Sequence, residues 1–343
     1  MGLPAVSFII NIVDRKVDNR HRAILHLQRA ATMRRILATV LWAGWLAVAS
    51  NAAYAAAPAQ IQVAYTNTTS CTGLFIAVDQ GMFAKRGLDV RLTLLALNST
   101  IPSAIVGGSV QVGTATPSVL LQAATGGLDL VVIAGGAVND VHKLFGGAVA
   151  RPGVRITSAR DFEGKRVGVP GLGAFMHVLF RRWLVEHGAD DRKVNFVEVP
   201  LAQERDLLRS GNVDAVISGE PFFSRIVASG SGTLVAPFFS EMPDGLFMLY
   251  FSTTRAWARA NPTAIVAFRA ALEEATAFLA ANPAKAREII GKYTHLPPDV
   301  IASIALPTLR LKVPASDVKY WSDTLLTQGL IRVPPDAASL VVD

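Results

Sequence analysis

Residues 61–95, IQVAYTNTTSCTGLFIAVDQGMFAKRGLDVRLTLL, limit the possible folds more than any other stretch of this chain. Apolar residues alternate at Ile61, Val63 and Tyr65, as a half-buried strand requires. A polar loop over 66–70 follows, then an apolar helix closed by Gly81 or Gly87, then a second strand over 90–95. Strand, helix and return strand make one βαβ unit. Its right-handed crossover places the polar loop at the carboxyl edge of a parallel sheet, where open α/β sheets bind ligands.

The same plan repeats. Further strands are expected over 111–114, 130–134 and 144–150, with helices over 73–83, 101–106 and 117–125, before the turn Arg151-Pro152-Gly153. A second α/β block has strands over 166–169, 194–199 and 213–217, helices over 174–187 and 202–209, and a helix opening at Pro221. The apolar run 246–252 reads as a strand returning the chain to the first block. Helices then open at Asn261-Pro262 and Asn282-Pro283, with Asn as N-cap and Pro at the first helical position. Ile265, Phe268, Leu272, Ala275 and Leu279 form one buried stripe, and Val318, Trp321 and Leu325 form another on a last helix over 315–328. An internal echo links the blocks: GSVQV (108–112) leads to Thr116-Pro117 as GNVDA (211–215) leads to Glu220-Pro221.

Composition excludes wholesale disorder, since 51% of the 343 residues are hydrophobic and 17% are charged. The formal charge of +7 is concentrated in residues 1–57, which hold Arg15, Lys16, Arg20, Arg22, Arg29, Arg34 and Arg35 against Asp14 and Asp18. The rest is close to neutral, so no nucleic-acid partner is expected. Met33-Arg34-Arg35, the apolar run 36–49 and Ala53-Tyr54-Ala55 read as a secretory signal peptide, its apolar core shorter than the ~20 residues that span a bilayer. Translation is expected to start at Met33 and cleavage to follow Ala55 or Ala57. General export is favoured over the twin-arginine route, because the residues around Arg34-Arg35 match that signal poorly. Cys71, the single cysteine, allows no intramolecular disulfide and reads as a buried spectator thiol. No cysteine ends the apolar run to accept lipid, so the expected location is the periplasm.

Five motifs in order, GMFAKRGLDVRL (81–92), GGSVQVGTAT (107–116), DFEGKRVGVP (161–170), GNVDAVISGEP (211–221) and NPAKAREII (282–290), resemble periplasmic substrate-binding proteins of ABC importers. The branch resembled is that of nitrate, sulfonate, taurine and thiamine precursors, and the likeness runs from about residue 60 to 333. It implies an α/β type II periplasmic binding protein fold, two α/β lobes around a ligand cleft. Lobe 1 would comprise 58–150 plus 250–343 and lobe 2 residues 151–249, with crossing segments near 144–155 and 247–254. It implies a monomeric solute-binding component, without cofactor or catalysis. Such a protein captures a sulfonate, nitrate, aminopyrimidine or related molecule and delivers it to a membrane permease and its ATPase in the inner membrane.

The cleft loops expected in such a fold are 66–70, 98–100, 114–118, 136–140, 171–175 and 219–222. Candidate ligand groups are Asn67, Thr68, Asn98, Ser99, Thr116 and Ser118, any of which serves equally as a helix cap. Gly171 and Gly173, with Ala174, allow a close backbone approach, although the run fits neither GxGxxG nor a P-loop. Phe175 and Phe222 offer stacking surfaces or core packing. Glu220, a poor cap before Pro221, is a candidate acceptor for an amine or amino-heteroaromatic solute, or else a carboxylate that favours the helix dipole. No Arg or Lys falls in these loops; Arg181 and Arg182 are the nearest and read as solvated. The rival reading is an enzyme, because fungal relatives of this family make a thiamine pyrimidine with pyridoxal phosphate and a cysteine-rich, iron-binding motif. One cysteine and a leader argue against it, and His142, His177 and His187 lack metal-ligand spacing. A binding module of another transporter type or of a sensor is the third.

Overall fold

The computed structural model describes residues 58–342. The signal peptide and the Met33 start lie outside the described residues. In chain order the strands are β1 (Ala59–Tyr65), β2 (Leu88–Leu94), β3 (Val112–Ala115), β4 (Leu130–Gly135), β5 (Ala137–Val138) and β6 (Gly146–Ala150). There follow β7 (Arg166–Val169), β8 (Asn195–Glu198), β9 (Ala215–Gly219), β10 (Thr233–Ala236), β11 (Tyr250–Thr254) and β12 (Thr308–Leu309).

Two five-stranded sheets result, ordered β2-β1-β3-β11-β4 and β8-β7-β9-β6-β10, and β5 pairs with β12 apart from them. The orders are equivalent. In each sheet three parallel strands are followed by an antiparallel fourth strand drawn from a distant part of the sequence, β11 in the first and β6 in the second. The internal echo therefore marks one structural position used twice, the strand β3 or β9 and the helix after it, Pro117–Thr125 or Phe222–Ala228. The open edge of β4 is covered where Val132 bridges Val341.

The expected elements form because their apolar residues pack. On one face of the first sheet Phe75 and Phe83 meet Ile265, Phe268 and Leu272 of the helix Pro262–Ala281. A second cluster is continuous from Ile101 and Leu120, through Phe247, Tyr250 and Trp321, to Phe162 and Phe180 beneath the second sheet. Both crossings of the chain are thus embedded in core.

Three expectations need correction. Strand β6, grouped with lobe 1 on sequence, pairs with β9 and β10 in the second sheet, so the first crossing runs over 136–145, earlier than 144–155. The return strand starts at Tyr250, later than expected. The segment before it pairs with the first crossing instead of the sheet, Met248 N–H donating to Ala137 O at 2.9 Å and Gly136 N–H to Leu249 O at 3.0 Å, and Asp317, on the helix Ala315–Thr327, accepts Phe247 N–H at 2.9 Å and the Tyr250 hydroxyl. The end of β4 meets the return crossing at Gly135, where an added Cβ would lie 2.1 Å from the Phe247 ring and 2.6 Å from Arg310 O. Finally, Asn261 and Asn282 precede their helices as expected but do not cap them. Their amides donate backward, to Trp257 O at 2.9 Å and Phe278 O at 3.1 Å.

Candidate functional site

A cavity of about 280 Å³ lies between the carboxyl edges of the two sheets. The first sheet contributes a polar wall: Thr66, Asn67, Thr68 and Ser70 after β1, Asn98 after β2 and Thr116 after β3, with Leu94, Leu95 and Ala96 at its margin. The second contributes an apolar wall from Pro170, Ala174, Phe175 and Met176 after β7, Pro200, Leu201 and Ala202 after β8, and Phe222 after β9. Phe145, Met248 and Leu249 from the crossings close the back. No charged residue is among the lining residues.

Local chemistry fixes both walls. Asn98 donates to Thr114 O at 3.0 Å, and its Oδ1 accepts Thr116 N–H at 2.9 Å and the Thr116 hydroxyl at 3.0 Å. Behind the 66–70 loop, burial pushes the Cys71 thiol up to about 11, so it stays protonated and donates to Thr66 O at 3.3 Å. A buried thiol of that kind is not an activated nucleophile. In the opposite wall, Gly173 takes φ +74° and donates its N–H to His177 Nδ1 at 2.9 Å. Burial, and next the charge of Arg181, bring His177 down to about 4, which keeps that nitrogen free to accept.

Three bridges join the walls. Ser99 Oγ donates to Glu198 Oε1 at 3.1 Å, Gln122 Nε2 donates to Gly173 O at 2.7 Å, and Thr69 N–H donates to Glu220 O at 3.2 Å. They connect the loop after β2 with the end of β8, the helix after β3 with the loop after β7, and the loop after β1 with that after β9. With β1, β2 and β3 equivalent to β7, β8 and β9, this is the pairing a pseudo-twofold axis through the cavity produces.

Of the residues singled out on sequence, Asn67, Thr68, Asn98, Thr116, Ala174, Phe175 and Phe222 line the cavity. Ser99 stands at its mouth in the bridge to Glu198, and Gly171 and Gly173 shape the loop behind the wall, where Ala174 N–H donates to Gly171 O at 3.1 Å. Ser118 is fully buried with no hydrogen-bond partner for its hydroxyl among the described residues. Glu220 is 2% exposed and its carboxyl faces away from the wall, accepting Ser224 Oγ at 2.7 Å, Ser224 N–H at 3.4 Å and Ala305 N–H at 3.5 Å. Burial pushes it up to about 7. The loop 136–140 serves the crossing instead, with Asn139 Nδ2 donating to Phe239 O at 3.1 Å. Arg181 and Arg182 are paired rather than simply solvated, with Asp191 at 2.5 Å and Glu186 at 2.7 Å.

The sequence model of the NMT1-like family matches residues 54–292, more than half of the chain. The chain belongs to the NMT1-like family. This NMT1-like chain is 26% identical over 237 residues to the bicarbonate transport ATP-binding protein CmpC of Synechocystis sp., which covers 64% of the chain and 35% of that protein. It is 26% identical over 219 residues to a binding protein of Brucella abortus, covering 64% of the chain and 66% of that protein. The chain thus spans less than two thirds of either relative's length. Among solved structures it resembles the alkanesulfonate-binding protein SsuA of Xanthomonas axonopodis, with a TM-score of 0.69 at 22% identity over 84% of this chain and 99% of that one. It also resembles the nitrate-binding protein NrtA of Synechocystis, with a TM-score of 0.69 at 17% identity over 81% of this chain and 83% of that one. These likenesses show the fold, which is the two-lobed periplasmic binding protein fold.

Sequence reasoning missed Leu94, Leu95, Ala96, Phe145, Met176, Pro200, Leu201, Ala202, Met248 and Leu249. A signal existed for part of that set: 94–96 and 200–202 lie at or just beyond the carboxyl ends of parallel strands, where the rule that located the other loops also applies. Met248 and Leu249 carried no signal, since only the fold brings the return crossing to the cavity. Among the described residues no group of His, Cys, Asp and Glu is placed to hold a metal ion, and no helix is long and apolar enough to cross a membrane.

Proposed function

We propose that this NMT1-like protein is the extracytoplasmic solute-binding component of an ABC importer, resident in the periplasm once its leader is removed. It takes one small molecule between its lobes and presents it to a membrane permease, and it makes or breaks no bond. The observation that carries this reading is the cavity itself. It is walled by the carboxyl-edge loops of two equivalent sheets, and those loops bridge one another across its mouth. Hinged lobes of this kind bind by closing on the solute. The names of SsuA, NrtA and CmpC place comparable chains in sulfonate binding, nitrate binding and bicarbonate transport, which supports a transport setting.

The test is a thermal-unfolding screen over sulfonates, nitrate, bicarbonate, aminopyrimidines and amides, followed by small-angle scattering. A solute at about 100 times its Kd adds ~2.7 kcal/mol of stability, and the same solute should shrink the scattering envelope. Uptake of that solute by the source cells should fail when the gene is deleted. Turnover of any compound, or an envelope indifferent to every stabilising solute, would falsify the reading.

A further inference from the structure

We infer that the cavity selects a small uncharged ring compound carrying a primary amide, or an equivalent edge of adjacent donor and acceptor, over an oxyanion; this rests on the solute-capture reading above. The first ground is charge. No Arg, Lys or His lines the cavity, so a buried anion would have no counter-ion to offset its lost hydration. Three amides of the 66–72 loop are already used, Thr68 N–H on Thr66 O, Thr69 N–H on Glu220 O and Cys71 N–H on Thr68 O, so the loop is not a full cradle of amides.

Direction is the second ground. The Thr116 hydroxyl spends its proton on Asn98 Oδ1, so toward a solute it has only lone pairs to give. Asn98 Nδ2 spends one N–H on Thr114 O and keeps the other. A spare donor therefore sits beside a spare acceptor, and the C=O and N–H of a primary amide satisfy both at once. A carboxylate or sulfonate carries acceptors alone. It can take the Asn98 N–H, but at Thr116 it meets a lone pair unless the hydroxyl gives up its bond to Asn98.

Shape is the third. Facing the polar wall are Phe175, Met176, Leu201 and Phe222. Phe175 is held in place by stacking on Phe239, with ring centroids 5.7 Å apart and planes at 15°. A bare nitrate or bicarbonate would leave that surface uncovered, whereas a flat ring buries against it. The volume suits a compact solute, lying just below the usual range for ligand pockets.

Benzamide, benzoate and benzenesulfonate share a ring and differ at the head group, so calorimetric titration of the full chain with each isolates the claim. Benzamide should bind about tenfold or more tighter than either anion, the worth of one well-placed hydrogen bond with its partner satisfied. Thr116→Val should weaken benzamide by about tenfold and Thr116→Ser should restore most of it, while the comparison in the unaltered chain needs no variant to fold. Benzoate or benzenesulfonate binding as tightly as benzamide would overturn the solute class and leave capture standing. No binding by any of the three would also overturn the class, and capture itself then stands or falls on the wider screen.

Discussion

Burial favours the uncharged form of both His177 and Glu220, and so shifts their titrations in opposite directions. His177 is brought down to about 4, so the folded chain excludes a proton that the unfolded chain takes up near pH 6.5. Its contribution to stability is full above 6.5 and is lost as pH falls through about 4. Glu220 is pushed up to about 7 from 4.5, so its contribution is full below 4.5 and is lost as pH rises through about 7. Each is worth at most ~3 kcal/mol. The two contributions oppose each other between pH 4.5 and 6.5, so the urea midpoint of the full chain should be nearly flat there and fall only slightly below 4.5 and above 6.5. Glu220→Gln should leave the His177 term alone, so that the midpoint rises from about pH 4 to 6.5, and His177→Gln should leave the Glu220 term, so that it falls from 4.5 to about 7; variants as flat as the parent would show that neither group sets the profile. The two residues differ in how far sequence revealed them. Glu220 was conspicuous because Glu is a poor residue before a Pro expected to open a helix; the helix opens one residue later, at Phe222 with Pro221 in the cap position, and the oddity marks burial instead, the carboxyl turning to Ser224 and Ala305 rather than to the wall. For His177 the four-residue step back to Gly173 was visible, but nothing local said that the imidazole would be buried.

At the level of elements, propensity and periodicity placed most strands and helices because both signals are local. They failed where a third party decides. Asparagine before proline is a good forward cap in isolation, yet here a preceding helix ends within reach, and the amide satisfies a carbonyl of that helix instead. This has a consequence that separates the two roles. A forward cap accepts, so Asp would replace Asn at little cost, whereas a backward cap donates and Asp cannot. Asn261→Asp should lose ~0.5–1.5 kcal/mol in urea unfolding, and an unchanged midpoint would restore the forward-capping role. The return crossing was misread for a similar reason: Asp317, some seventy positions later in the chain, pins it at Phe247 and Tyr250. Tyr250→Phe leaves that buried carboxyl short of a donor and should cost ~1–3 kcal/mol, read by the same unfolding experiment. Full stability in Tyr250→Phe would mean that the Phe247 amide alone suffices.

Taken as one molecule, the protein is two equivalent sheets with their carboxyl edges turned to a shared cavity. The echo of 108–117 in 211–221 foretold the equivalence, because a repeated strand-to-helix turn is a sequence signal. The bridges were not foretold, since each joins two loops that have no local reason to meet. They give the last prediction its form. If the bridges hold the lobes together around a solute, removing one should speed release without touching the solute, because a bond made chiefly in the closed arrangement sets how long it lasts. Ser99→Ala and Glu198→Ala should each raise the release rate of the screened solute by about three- to tenfold with association little changed. Together they should do scarcely more than either alone, because they delete the same bond from its two ends. Ser99→Ala with Gln122→Ala removes two different bridges, so their effects on the logarithm of the rate should add. Stopped-flow release measured on these variants distinguishes the cases. Additivity in the first pair would mean that Glu198 acts through Leu172 N–H, which it accepts at 3.2 Å, and not through the other lobe.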